Sequence, residues 1–416
     1  MIKKGRILGC PPWIERLRRR QNMSSNFRLV FKTERKRAMP VLNYFHNLSL
    51  PLILIALLSC LFYSSWAQST DTILAQIERL ASLGPEGDEA LTKSIISQIE
   101  ANPKGIAQLL LPKLKNPEAT ENQLATYVWA IGWCKDPDTT DDLIALYRKS
   151  PFSSVQYSCL RSLSQIGDHQ AGQFLLSILD EKSEPEERFA ILNLLAEMQF
   201  EPALSRMEEI LRSDFNMYYW KGIFIFGKMG DKAVPFLLTK INDEDLNVRK
   251  QAISLLGRWL MAPEAGQPLQ ERFWLEKDEE LQIMILGAVE RTVCDLEQWK
   301  LFFEQVESRS QSQKAKKFAN EALAEIDRLK TYVPEFVARK KVSKADFDRE
   351  YEILFRSAGL EGDYKILAIS SSPEDEPRLK KLRERILQRN SDEALYDYEK
   401  LNNIIFLNRF AAKLNK

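Results

Sequence analysis

Residues Tyr219 to Trp259 read YWKGIFIFGKMGDKAVPFLLTKINDEDLNVRKQAISLLGRW, and this stretch decides the fold. Tyr219, Gly222, Ile223, Phe226 and Met229 recur at helical steps, which places them on one face of a helix. Gly230 suits the left-handed conformation that ends a helix. Asp231 suits the start of the next, where a carboxylate accepts from free backbone amides. That second helix turns Val234, Leu237, Leu238 and Ile241 inward, with Pro235 in its first turn, where a proline costs least. Asn242-Asp243-Glu244-Asp245 is a polar loop. A third helix carries Val248, Ala252, Leu255, Leu256 and Trp259.

The unit recurs along the chain. Ile166-Gly167-Asp168 matches Met229-Gly230-Asp231 at a distance of 63 residues. Met198 stands halfway between, with Gln199-Phe200 in place of Gly-Asp. Leu260 follows Met229 by 31 residues, and Ile131-Gly132 precedes Ile166 by 35. The pattern predicts a period of 31 to 35 residues and two helices per unit. A helix pair of that size cannot bury its apolar face alone, so neighbours must stack. The expected fold is all-α, an α-solenoid of helix pairs.

Asp245, Val248, Arg249, Ala252, Leu256 and Gly257 resemble one copy of the bacterial HEAT-repeat pattern, of the type also seen in bilin-lyase-like proteins. Gly230, Asp231, Ala233, Val234 and Leu237 resemble the turn of the copy before it. The resemblance is good over residues 155–260, weaker over 119–154 and 261–310, and general beyond. It implies that the second helix of each pair lines the concave side. It also leaves open a bilin-lyase-like enzyme or enzyme subunit.

The chain has 416 residues and a net charge of +1. That near-neutrality hides an asymmetry: residues 1–67 carry +10 and the remainder −9. An acidic body argues against a nucleic-acid binder, which needs a basic face. Cys10, Cys60, Cys134, Cys159 and Cys294 form no C-x-x-C pair, so zinc and redox motifs are absent and buried thiols are expected. His169 reads as a surface histidine. The basic stretches at 314–317, 339–341 and 380–383 read as solvated helix faces. The aromatics Tyr218, Tyr219, Phe273, Trp274, Trp299, Phe302 and Phe303 read as packing between repeats, and Trp220 as an outlier beside the apolar face. The sequence holds no Gly-rich phosphate loop, His-metal pair or local Ser-His-Asp signature. No catalytic residue, cofactor or metal is therefore expected, and the reading is non-enzymatic.

The organisation reads as four parts: a leader with a signal peptide over 1–67, N-terminal helices over 68–118, HEAT-like repeats over 119–330, and a C-terminal helical capping region over 331–416. In that last region Pro334 reads as a break and Ser370-Ser371-Ser372-Pro373 as a linker. The leader has a basic flank, an apolar core around 50–63, and Ser65-Trp66-Ala67 with small residues where a signal peptidase reads. It predicts export to the periplasm or cell envelope. The alternatives are lipidation at Cys60 or an uncleaved membrane anchor, the only ways this chain would touch a membrane.

The expected function is an exported interaction scaffold that binds a protein or peptide. A bilin-lyase-like enzyme and a membrane-tethered adaptor are the alternatives. Stepping by the repeat puts Gln173, Ser205, Phe236 and Gln267 in one candidate row, and Ser177, Glu209, Lys240 and Glu271 in the next. Phe236 and Lys240 are expected to point outward. The leader gives the first prediction: N-terminal sequencing of the mature protein finds Gln68 first, released from Ala67. Full-length chain in the cytosol would refute it, and an acylated Cys60 would replace it with a lipoprotein.

Overall fold

The structure is a computed structural model that describes residues 72–83, 87–213, 215–293, 295–340 and 343–414. The leader, with Ala67, Gln68 and Cys60, lies outside the described residues, as do Cys10 and Cys294. Every regular element among the described residues is helical. The helices α1 (72–83), α2 (Glu89–Ala101) and α3 (Pro103–Leu114) come first. Helix pairs follow: α4 (Glu121–Cys134) with α5 (Thr140–Lys149), α6 (Ser153–Ile166) with α7 (His169–Glu181), and α8 (Pro185–Glu197) with α9 (Leu204–Arg212). Next come α10 (Phe215–Met229) with α11 (Val234–Lys240), and α12 (Leu246–Ser254) with α13 (Gly266–Leu275). Then come α14 (Glu279–Thr292), α15 (Leu296–Arg309) and the long α16 (Gln313–Arg339). The chain closes with α17 (Lys344–Arg356), α18 (Tyr364–Ser370), α19 (Glu376–Leu387) and α20 (Asp392–Leu414). None of the described helices is long and apolar enough to cross a membrane.

Each pair from α4/α5 to α12/α13 turns on one left-handed residue. These are Lys135, Gly167, Gln199, Gly230 and Met261, spaced by 32, 32, 31 and 31 residues. The spacing corrects the sequence estimate at its N-terminal end. Ile131-Gly132 is not a turn: Gly132 is buried inside α4, and a Cβ there would meet the Ser162 side chain of α6 at 2.6 Å. The glycine serves close helix contact, and Lys135 makes the turn despite its side chain.

The two Gly-Asp turns also differ. Asp168 caps α7, accepting from the Ala171 amide at 2.6 Å and from Thr140 Oγ1 at 2.6 Å. Asp231 makes no cap, contrary to expectation: its turn continues as a 3-10 segment, Gly230–Ala233, and its carboxylate pairs with Lys380 at 2.8 Å.

The chain divides into two compact units between Phe174 and Leu175, inside α7. In the first, Ile95, Ile99, Leu110, Val128, Ile131, Leu143, Cys159 and Leu163 are buried. Burial pushes the thiols of Cys134 and Cys159 up to about 12, so both stay protonated and inert.

In the second unit the first helices of successive pairs pack tightly. A Cβ on Gly257 would lie 2.2 Å from the Ala288 Cβ, so α12 and α14 touch backbone to backbone there. The end of α12 is a π turn, Leu255–Trp259, closed by Leu260 N to Leu255 O at 2.8 Å. Helices α17 to α20 share an apolar cluster of Phe347, Tyr351, Leu354, Leu367, Leu379, Leu382, Ile386, Leu401 and Ile405.

Two further expectations fail in this C-terminal part. Pro334 does not break a helix; it lies within the continuous α16. The serine run is not a linker: Ser370 and Ser371 are buried, and Asn408 Nδ2 donates to Ser371 Oγ at 3.0 Å. Lys340 Nζ donates to the Ser371 carbonyl and Asn408 Oδ1, and burial lowers its ammonium to about 8.

A matched glycine pair tests the packing. Gly257→Ala is expected to cost about 1–3 kcal/mol by overpacking against α14. Gly287→Ala, whose Cβ meets nothing closer than Phe318 Cζ at 4.0 Å, should stabilise by up to about 1 kcal/mol through helix propensity. Denaturant unfolding of both variants checks the opposite signs.

Candidate functional site

The second helices carry the predicted rows, and burial fixes their register. Ala171, Ala203, Ala233 and Ala265 are fully buried at equivalent positions, 32, 30 and 32 residues apart. The copy carried by α10 and α11 is therefore shorter than the uniform step assumed from sequence. Gln173, Ser205 and Gln267 are in register and exposed, but the residue between them is Pro235, also exposed, not Phe236. Likewise Ser177, Glu209 and Glu271 align with exposed Thr239, not Lys240.

Phe236 and Lys240 are thus corrected. Phe236 is half-buried and stacks on Phe226, with ring centroids 6.2 Å apart and an interplanar angle of 9°. Lys240 leans over the Phe236 ring and pairs with Glu208 at 2.5 Å. A one-residue error rotates a helical position by about 100°, enough to move it off the face.

Beside the rows, charges are paired rather than free. Arg188 Nη1 donates to the carbonyls of Leu179 (2.7 Å) and Lys182 (3.0 Å), and its Nη2 reaches Glu209 at 2.6 Å. Arg249 does the same two repeats on: Nη1 holds the Asp243 and Glu244 carbonyls at 2.9 and 3.0 Å, and Nε meets Glu276 at 3.1 Å. The loop in the copy between is held instead by buried Gln251, whose Nε2 donates to Ile210, Leu211 and Ser213 carbonyls, each at 3.1 Å. Arg212 joins Glu208, Asp243 and Asp245. Arg188 and Arg249 thus lock each loop from the following repeat, and Gln251 locks its loop from one repeat further on.

The opposite edge, where the paired helices turn, is covered by α19 and α20. Lys228, fully buried, donates to Asn193 Oδ1 (2.6 Å), Glu197 Oε1 (2.9 Å) and Asn390 Oδ1 (2.8 Å). Gln199 takes the left-handed position without being glycine, and its Nε2 bonds the Lys228 carbonyl at 3.0 Å and Glu384 Oε2 at 2.9 Å. Burial pushes the Glu384 carboxyl up.

At the π turn, the Trp259 carbonyl accepts from Tyr398 Oη (2.9 Å) and Asn402 Nδ2 (3.1 Å). Arg383, 1% exposed, finds neutral acceptors: Asn402 Oδ1 at 2.7 Å and the Trp259 and Leu260 carbonyls at 3.4 Å. Its charge sits at the negative end of the α12 dipole. Arg409 links Glu376 (2.6 Å) to the Met261 carbonyl (2.6 Å).

The expectation of solvated basic faces fails at buried Arg383 and half-buried Lys340. A charge run tells which residues are ionic, and tertiary packing decides which are covered.

Among the described residues no group of His, Cys, Asp or Glu has a metal-holding arrangement. His169 is exposed, as expected. Trp220 is 52% exposed and meets Trp259 edge-on at 6.5 Å. Phe273, Trp299, Phe302 and Phe303 pack ring against ring in the core, while Trp274 remains partly exposed under Arg309.

Residues 107–196, from within α3 to within α8, match a family model described as HEAT repeats. Over these residues the chain is similar to HEAT repeats. The same turn geometry continues past the matched residues to Met261. No curated protein matches the chain. Among solved structures, a chain in the complex of CpcE and CpcF of phycocyanin lyase from Nostoc sp. PCC7120 is similar at 15% identity; the alignment covers 53% of this chain and 94% of that one, with a TM-score of 0.27.

The covered edge is what sequence reasoning missed. Two signals point to it. Lys228 is a lone cation in the apolar run Ile223–Met229, and Gln199 stands where glycine is cheapest.

The loop lock gives a pH prediction. Burial alone would raise the Glu276 carboxyl, but Arg272 and the amides of Lys277 and Asp278 outweigh it and hold it at about 2 instead of 4.5. Its folded value is depressed, so its stabilisation is complete above about pH 5 and fades as pH falls toward 2. Glu276→Gln should cost about 2–4 kcal/mol near neutrality. The gap between variant and wild type in urea midpoint should then narrow below pH 4.5.

Proposed function

We propose that this chain is an exported interaction scaffold that binds a protein or peptide on the exposed face of its second helices. One observation carries the reading. In the second unit, Ser205, Pro235 and Gln267, with Glu209, Thr239 and Glu271, form two rows in true repeat register, while the turn edge is occupied by the chain's own α19 and α20. Repeat stacks function by binding along such extended faces.

The chemistry of the face favours an uncharged or mixed polar partner. Its flanking cations Arg188, Arg212 and Lys240 are already paired with Glu209, Glu208 and Asp243. A polyanion gains affinity chiefly by releasing its own counterions when protein cations neutralise it, and pairing with carboxylates reduces what these three cations can offer. The rows offer hydroxyls, amides and carboxylates that suit backbone and side-chain groups of a polypeptide.

The experiment is photo-crosslinking from residues 205, 239 and 267 in the exported protein, followed by affinity measurement with the protein so captured. Ser205→Arg with Gln267→Arg should weaken binding at least tenfold, about 1.4 kcal/mol, at unchanged helicity. Equal affinity in wild type and double variant would remove this face from consideration. Covalent transfer of a bilin to an acceptor protein by the purified chain would replace binding by catalysis.

A further inference from the structure

Helices α19 and α20 touch four successive repeats of the second unit, not one. At α8 they meet Gln199 through Glu384, and Asn390 reaches Lys228 together with Asn193 and Glu197. At α10, Leu387 lies over Gly227, where a Cβ would meet its Cδ1 at 2.5 Å, and Lys380 pairs with Asp231. At α12 they take up the carbonyls of Arg258, Trp259, Leu260 and Met261. At α14 and α15, Asn403 accepts from Arg291 at 3.1 Å, and Phe410 stacks on Trp299 at 5.9 Å.

A plain repeat stack has only nearest-neighbour contacts, so its repeats can shift against one another independently. Here a single hairpin holds residues from Gln199 to Trp299 at once. At the end of α12 its bonds run to backbone carbonyls, and these fix position rather than merely bury area. The contact is also polar and ionic at its centre. A buried ionic contact is by itself weak evidence for added net stability.

We propose that α19 and α20 form a clamp that sets the spacing of four successive repeats, and with it the geometry of the second-helix face. With the clamp closed the face is rigid and in register. With the clamp open the repeats move independently. The link to binding rests on the function proposed above; the clamp itself is tested without any partner.

Two glycines provide the test. Gly230 and Gly167 hold the same left-handed turn, at φ +59° and +73°. A Cβ on Gly230 would meet Glu384 Oε1 at 2.3 Å, whereas on Gly167 the nearest atom is 3.7 Å away. Gly230→Ala and Gly167→Ala therefore share the backbone strain, and only the first strikes the clamp.

In the full chain, Gly230→Ala is expected to speed amide exchange at least tenfold across α19 and α20, and to speed it in α10 and α12. It should also broaden the distance distribution between spin labels placed at exposed Ser205 and Gln267 through unnatural amino acids. Gly167→Ala leaves all of these as in wild type. Should Gly230→Ala fail to fold, Asp231→Lys opens the Lys380 contact at an exposed position, and Lys380→Glu added to it restores closure.

Unchanged exchange in α19 and α20 overturns the clamp. So does faster exchange there with the label distances and α10–α12 unchanged, since the hairpin would then be a passive appendage. A clamp that passes while the double-arginine variant binds normally would leave the device intact and move the binding face elsewhere.

Discussion

A helix pair of about 31 residues has more apolar surface than it can cover, and the turn between its helices must be tight enough for the next pair to stack. That constraint falls on one backbone position per repeat. Lys135, Gly167, Gln199, Gly230 and Met261 all adopt the left-handed conformation there. Three of the five have side chains that disfavour it by about 1 kcal/mol or more. They persist because the flanking helices are committed on both sides, and at Gln199 because the side chain is used as well. The buried alanines just after the turns at 167, 199, 230 and 261 serve the same end, since a larger residue there would hold the pairs apart.

The inter-repeat loops follow from the stacking. A loop between repeats exposes the last carbonyls of one helix, and these must find donors. Arg188 and Arg249 supply them from the following helix and are themselves neutralised by Glu209 and Glu276. The result is a face whose flanking charges are internally spent. That shapes the class of partner the face suits far more than the net charge of the chain does.

The C-terminal helices work against the one-dimensional logic of a repeat stack. Helix α10 shows this best. Its sequence pattern describes one apolar face, yet Ile225, Phe226, Gly227, Lys228, Met229 and Gly230 are buried in succession. A helix end becomes buried all round only when a second layer covers it. Here that layer is α19 and α20, and Lys228 is the residue that makes the second contact ionic. The π turn at the end of α12 belongs to the same arrangement, because the carbonyls of Arg258, Trp259 and Leu260 are directed to Asn402, Tyr398 and Arg383.

The sequence by itself determined the repeat: apolar spacing and turn chemistry around Gly167 and Gly230 are local properties, and they specify helix pairs that must stack. The same local spacing holds in the last helices, where Leu379, Leu382, Ile386, Tyr398, Leu401 and Ile405 recur at helical steps and are all buried. Periodicity could not give the register between copies, because one residue more or less in a turn leaves each helix pattern intact while rotating the next face. That is why Phe236 and Lys240 replaced Pro235 and Thr239 in the predicted rows. Nor could it reveal which polar residues are covered. Ser371 and Arg383 look solvated in sequence, and they are buried because segments far apart in the chain bring partners to them. The pairing of α19 and α20 with the repeat turns is a long-range choice, and only the tertiary structure makes it.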